Sequence, residues 1–192
     1  MAHEYPCVYF ESDYGGYKNT EKTLEIARDY ADKHSIKDII IASTRGQTGL
    51  MAAELFSGLN LIVVSHQFGF NKPGQQEMPI ETIEEIKKLG GKVLSTTHAF
   101  AGIDRAVKRK FNSLQFAEMV AEVLRCFGQG TKVCAEIVLM CADAGLIGVP
   151  QDVLSIGGTG RGADTCWLVG SAHTNNFFDL KMKKCLCKPY KW

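Results

Sequence analysis

A chain of 192 residues and 21.2 kDa suits one ordinary domain, and 45% hydrophobic against 22% charged residues is the balance of a globular protein, not of a disordered or collagen-like chain. The formal charge of +1 supplies no global field for phosphate backbones or anionic lipid, which argues against nucleic acid and membrane as partners. The apolar run 137–142 is far shorter than the roughly 20 residues that span a bilayer, and Glu4 and Pro6 interrupt any signal-peptide pattern, so a soluble cytoplasmic protein is expected.

Along the chain the apolar period alternates between two and 3.6, the mark of strands alternating with helices and hence of a mostly parallel sheet covered on both faces. Residues 8–10 read as a short strand. Asn19 or Thr20 then caps a helix with Leu24, Ala27 and Ala31 on one face and Asp29 four residues before Lys33. The run Ile39-Ile40-Ile41 marks a strand over 38–42 of the type buried on both faces. A helix from about Gln47 buries Met51, Leu55 and Phe56 and leads to a strand over 61–64.

The stretch 65–78 holds Gly69, Pro73 and Gly74 and is long enough to be a loop with a function, such as a lid. Pro79 stands at the first position of a helix with Ile80, Ile83, Ile86 and Leu89 in an apolar row, stopped by Gly90-Gly91 before a strand over 92–95. Arg105, Lys108, Arg109 and Lys110 read as a solvated face. A helix capped by Asn112 or Ser113 is then expected to bury Phe116, Val120, Val123 and Phe127.

The segment 131–144 is apolar almost all round and reads as a central helix closed by Gly145. Its polar exceptions Lys132, Glu136 and Asp143 share one stripe. One reading pairs Lys132 with Glu136 in solvent; the other buries Glu136 in a ligand pocket, where it needs a partner. Strands over 153–156 and 166–169 follow. A lysine-rich end over 181–191 suits an exposed edge strand. No linker or repeat interrupts 1–192, so a single domain with a β-rich C-terminal extension is expected.

Seven cysteines are an odd number, and Cys7, Cys126, Cys134, Cys141 and Cys166 lie in apolar or periodic segments as small hydrophobes. Reduced core thiols are the expected state. Cys185-x-Cys187 lacks the paired spacing of zinc sites, so no metal site is assigned.

Two glycine-rich clusters could carry chemistry. Ser43-Thr44-Arg45-Gly46-Gln47-Thr48-Gly49 lies where a buried strand turns into a helix. Unpaired amides at a helix start, the dipole's positive end and nearby hydroxyls together suit a phosphate. An ordinary turn rich in capping residues is the alternative, and neither the P-loop nor the dinucleotide pattern is present. Gly157-Gly158-Thr159-Gly160-Arg161-Gly162-Ala163-Asp164-Thr165 joins two strands; Arg161 offers a planar fork for phosphate, or simply tips an exposed hairpin. Both clusters lie at carboxyl ends of strands, where parallel sheets bind ligands. His66, His98 and His173 also lie near strand ends, each either structural or a ligand contact.

Segment 38–65, with Ile39-Ile40-Ile41-Ala42-Ser43-Thr44-Arg45-Gly46 leading through Ala52-Ala53 to Leu61-Ile62-Val63-Val64-Ser65, resembles the C-terminal α/β domain of pyruvate kinases. The corresponding turn in that family binds a phosphate of a sugar bisphosphate effector. Gly160-Arg161-Gly162-Ala163-Asp164-Thr165 resembles the later glycine-rich loop that closes over the same effector. The whole chain resembles stand-alone proteins of this type, through Ser65-His66-Gln67-Phe68-Gly69-Phe70, Thr97-His98, Val133-Cys134-Ala135-Glu136-Ile137 and Ala172-His173-Thr174-Asn175-Asn176-Phe177-Phe178-Asp179.

The resemblance implies a three-layer α/β/α sandwich with a mostly parallel mixed sheet, and members of this group are associated with bound flavin mononucleotide (FMN). The kinase reaction is not implied, because its machinery lies in a barrel domain for which this length leaves no room. The expected function is binding of a small phosphorylated ligand, FMN foremost. Ser43, Thr44, Arg45, Gly46, Gln47 and Thr48 would cradle phosphate; Gly158, Thr159, Arg161, Gly162 and Asp164 would form the opposite wall; His66, Phe68 and His98 would meet the ring or ribityl chain. An FMN-dependent oxidoreductase and a sugar-phosphate-sensing module are the alternatives, and self-association is left open.

Overall fold

The structure is a computed structural model and describes residues 6–11 and 16–191; Glu4 lies outside them. In chain order the elements are β1 (Val8–Phe10), α1 (Thr20–His34), β2 (Asp38–Ala42), α2 (Gln47–Leu55), β3 (Asn60–Ser65), α3 (Ile80–Lys88), β4 (Lys92–Ser95), α4 (Gly102–Phe111), α5 (Phe116–Arg125), α6 (Gln129–Asp143), β5 (Asp152–Gly157), β6 (Thr165–Gly170) and β7 (Lys181–Pro189). The seven strands form one sheet in the order β1-β7-β6-β5-β2-β3-β4. Neighbours are parallel except where β6 runs antiparallel to β5 and β7. The α/β fold with a mostly parallel mixed sheet is the one the sequence leads us to expect.

The triple isoleucine of β2 shows why the layers form. Side chains alternate across a strand, so Ile39 and Ile41 join Leu24, Ala27, Ala53 and Phe56 on the face covered by α1, α2 and α3. Ile40, with Ile62 and Val64, packs against Val138 and Cys141 of α6 on the other face. A strand at mid-sheet has no solvent side, which is why its sequence lacks polar alternation.

Several expectations are corrected. The lysine-rich strand β7 is not an edge strand: β1 adds outside it, pairing Val8, Tyr9 and Phe10 with Cys187, Lys188 and Pro189. So short a partner reaches only the far end of β7, and most of its lysines lie where β1 does not extend. On α1 the (i, i+4) ion pair is Arg28 with Asp32, at 2.9 Å, rather than Asp29 with Lys33. Pro79 precedes α3 as its cap. Ile86 is buried there, while Ile80 and Leu89 are exposed. The basic stretch forms a helix, α4.

The largest difference concerns α5. Phe116, Val123 and Phe127 are exposed, and the helix turns Ala121, with the partly buried Ala117, Val120 and Leu124, toward the body. Apolar residues cover more than half its circumference, so their period cannot tell which half faces inward. Cys126 is likewise exposed. Cys134, Cys141, Cys166 and Cys187 are buried free thiols, and burial pushes all four up, Cys187 to about 12, which keeps them inert. No helix among the described residues is long and apolar enough to cross a membrane.

Candidate functional site

Parallel pairing of β2 with β5 and β3, and of β3 with β4, carries the segments after these four strands to one edge of the sheet. The two glycine-rich clusters follow adjacent strands, since Ile41 pairs with Ile156. The long loop bearing His66 follows β3, and the segment bearing His98 follows β4.

The turn after β2 is held at its base. Ser43 donates its amide to the Val64 carbonyl at 2.9 Å, and its hydroxyl accepts from the Gly49 amide at 3.1 Å. Gly46 caps α2 at φ +94, a conformation that favours glycine. Its open side faces α3, where an added Cβ would overlap Thr82 Cγ2, so a side chain here would collide with that helix. Ser43 serves the helix cap. Arg45 and Gln47 are exposed, Thr44 is half-buried and Thr48 is buried. Among the described residues, no hydrogen bond takes up the amides of Thr44, Arg45, Gly46, Gln47 or Thr48. A helix start with unused amides attracts an anion.

Beside this turn stands a cluster of rings. The His66 imidazole lies 3.9 Å from the Phe70 ring centre and 5.2 Å from that of His98, and Phe70 and His98 are also 5.2 Å apart. The Arg105 guanidinium of α4 lies 4.7 Å from the Phe70 centre, within cation–π range. His66 ties the cluster to the turn: Nδ1 is 2.7 Å from Glu77 Oε1, and Nε2 is 3.5 Å from Thr44 Oγ1. An ionised carboxylate only accepts, so Glu77 keeps the proton on Nδ1. In the neutral ring Nε2 is then an acceptor facing the turn.

The long loop is fastened at its neck. Gln76 Nε2 donates to the His66 carbonyl at 3.0 Å and to the hydroxyls of Ser65 and Ser95 at 3.3 and 3.0 Å. These bonds set where His66 and Phe70 emerge. Phe68, proposed from the sequence, is exposed and makes no ring contact among the described residues; Phe70, two residues on, is the ring that meets His66 and His98.

His98 is placed from beneath. The Lys132–Glu136 pair of α6 forms, but it is buried instead of solvated. Glu136 Oε1 accepts the Phe100 amide at 3.0 Å, and the Lys132 ammonium lies 5.6 Å from the Phe100 ring centre. Glu136 thus does find a partner in Lys132 and also anchors the segment carrying His98. Burial drives the His98 pKa down to about 4; the Glu136 carboxylate opposes this, while His66, Lys132 and Arg105 add to it. His98 is therefore a neutral imidazole near pH 7. Burial also lowers Lys132, against the pull of Glu136.

The hairpin after β5 is built differently. Asp164 is buried and accepts the Thr159 amide at 3.0 Å and the Thr165 hydroxyl at 2.7 Å. The Ala163 amide donates to Thr20 Oγ1 at 3.0 Å, and a Cβ on Gly162 (φ +73) would overlap Thr20 Oγ1. The hairpin leans on the start of α1. Gly158 packs against the Gly162 carbonyl across the hairpin, and Arg161 is exposed at its tip. Among the described residues no hydrogen bond or ring contact joins this hairpin to the turn at 43–48. His173 lies elsewhere, with Nδ1 3.2 Å from Asp143 Oδ1.

Glu77, Phe70 and Arg105 are site residues that the sequence pattern does not single out. Glu77 is one acid in a polar loop, and only folding brings it back over eleven positions to His66. No group of three or more metal-ligating side chains occurs among the described residues. A family model described as "Pyruvate kinase, alpha/beta domain" matches residues 21–169. The match contains the turn, the ring cluster and the hairpin.

Proposed function

Because the chain belongs to the pyruvate kinase alpha/beta domain family, we propose that it binds a small phosphorylated ligand at the carboxyl edge of its sheet, and that the ligand is FMN. One observation carries this reading: Thr44, in the turn whose amides are unused, lies 3.5 Å from His66, which begins the His66–Phe70–His98 ring cluster. An anion grip thereby adjoins an aromatic cluster, and a phosphorylated aromatic compound has two parts to match. The donor set fits FMN: the amides of 44–48 would take the phosphate, with the Thr44 hydroxyl turning its one proton from His66 to it, and the aromatic cluster would take the ring system.

A bound flavin supplies reversible electron acceptance. The chain itself binds and orients the ligand and offers a proton acceptor at His66 Nε2, held toward the mouth by Glu77. His98 contributes an uncharged face. The free buried thiols support a reducing, cytoplasmic setting. Arg161 can add charge from the neighbouring hairpin without being part of the grip.

The test compares FMN with riboflavin, which has the same ring system without the phosphate, by quenching of flavin fluorescence. FMN is expected to bind at least about tenfold more tightly, and Thr44→Val to reduce that preference. Equal affinity for both, or affinity for neither, overturns the reading. A sugar bisphosphate that binds where FMN does not would assign the site to metabolite sensing. Bleaching of bound flavin by NADH or NADPH under anaerobic conditions would make the protein an oxidoreductase.

A further inference from the structure

Three polar residues share one stripe of α6. Lys132 and Glu136 neutralise each other beneath His98, whereas Asp143, the last residue of the helix, lines a cavity. Its Oδ1 accepts the Thr174 amide at 3.1 Å and lies 3.2 Å from His173 Nδ1, and its Oδ2 accepts the Thr174 hydroxyl at 2.5 Å. Burial raises the Asp143 pKa, but these bonds from Thr174 and His173 outweigh it and hold the carboxyl below its ordinary value. The cavity has a volume of about 280 Å³, and Thr96, Thr97 and Met140 share its wall. An aromatic cleft of about 260 Å³ adjoins it, walled by Phe100, Phe116, Val120, Leu139, Phe177 and Phe178. Ala99 and Thr174 belong to both walls, so the carboxylate stands one side chain away from the cleft.

We propose that the two cavities form one binding site for a small aromatic amine, with its ring in the cleft and its ammonium group at Asp143. Charge selects the amine. Among the described residues that line the two cavities, Asp143 alone carries a charge, and the carboxyl end of α6 adds the negative end of its dipole. Each carboxylate oxygen can accept two hydrogen bonds, so Oδ2 keeps a place for an ammonium proton. The hydroxyls of Thr96 and Thr97 hydrogen-bond to no other described residue and can accept further protons. Shape selects the ring. Phe100 and Phe177 meet edge to face at 5.8 Å, as do Phe177 and Phe178 at 5.4 Å, an arrangement that a further ring can extend. An apolar cavity of about 150 Å³ already holds a benzene ring, and this cleft is larger; Phe116 and Phe178, both exposed, leave it open to solvent. Thr174 fixes the carboxylate beforehand, so little order is lost on binding.

No residue of the turn at 43–48 or of the His66–Phe70–His98 cluster lines either cavity, so the proposal stands or falls apart from the FMN reading. Isothermal titration calorimetry on the full chain near neutral pH compares phenethylamine, which is then protonated, with phenethyl alcohol and phenylacetate, which carry a neutral and a negative end group. Phenethylamine should saturate below about 10 mM and bind at least about tenfold more tightly than the alcohol, with phenylacetate weakest. Asp143→Asn, which keeps an oxygen to accept from Thr174, should bring amine and alcohol within about threefold of each other. Ala117→Phe, which fills the cleft, should weaken both. In methyl spectra of the unsubstituted chain, the Met140 signal should move with added amine, and that of Met78, beside Gly46, should not. Absence of saturation overturns the proposal, as does equal affinity for amine and alcohol, a preference that survives Asp143→Asn, or a shift at Met78 instead of Met140.

Discussion

The turn after β2 and the hairpin after β5 are rich in the same residue types, follow neighbouring strands and lie at the same edge of the sheet. They differ in where their polar groups go. In the hairpin, Asp164 accepts from Thr159 and Thr165 and the Ala163 amide is taken by Thr20, and the groups without a partner among the described residues, the Thr159 hydroxyl and the amides of Gly158, Gly160 and Gly162, are scattered between paired ones. In the turn, Ser43 is engaged, while the five amides after it have no partner among the described residues. Glycines, hydroxyls and charge therefore do not define a ligand site. What matters is whether the groups left unpaired lie together, as the five consecutive amides opening α2 do, after the fold has satisfied the rest of its backbone.

Substitutions should separate the two loops. The largest effect is expected at Gly46→Ala, which combines φ +94 with a Cβ overlapping Thr82 Cγ2. A loss of about 3 kcal/mol, or roughly 6–12 °C in Tm, should appear in thermal unfolding. Thr82→Ala should restore the steric part and leave the backbone part. If Gly46→Ala folds with unchanged Tm, the turn is not packed against α3 as described.

Next is the response to acid in the ring cluster beside the turn. His98 titrates at about 4 in the fold and near 6.5 when unfolded. Between these values the unfolded chain binds the extra proton, so stability is intact above about pH 6.5 and falls as pH drops toward 4, by about 3 kcal/mol. His98→Phe should flatten that part of a denaturation-against-pH profile. An unaltered slope would show that His98 is not held neutral by burial.

Asp164→Ala should cost about 2 kcal/mol by leaving the Thr159 amide and Thr165 hydroxyl without their acceptor. FMN affinity should change less than about threefold, because the hairpin supports itself and not the grip. Arg161→Ala should have the smallest effect, within about 0.5 kcal/mol in stability and under about threefold in affinity. A tenfold loss of affinity at Arg161 would mean that the hairpin closes over the ligand, and the contrast between the loops would then be wrong.

Much of the fold is legible in sequence because it is written in local terms. Ile39-Ile40-Ile41 reads as a strand buried on both faces, and Ala27 and Ala31 as a close helix contact, because burial on two faces or one leaves a periodic trace. The turn at 43–48 is legible for the same reason, as capping residues between a strand and a helix. The ring cluster is not. Phe68 and Phe70 are indistinguishable in a glycine-containing loop, and only the Gln76 bonds to Ser65 and Ser95 decide which ring meets His98. Helix α5 marks the limit of periodicity: the pattern reports an apolar stripe and says nothing about whether its cover is the same chain or another.

Period, capping and the runs of β-branched residues settle the alternation of strand and helix, the strands at the centre of the sheet and the position of the turn between β2 and α2, since each depends on residues a few places apart. Tertiary packing alone decides that Glu77 orients His66, that Lys132 and Glu136 are buried beneath His98, and that Asp164 closes its own hairpin. These contacts join residues 4 to 38 positions apart in sequence or lie on faces whose burial depends on a distant neighbour. The free energy of a polar group is set by the partner and the dielectric it meets in space, and neither is inscribed in the residues beside it.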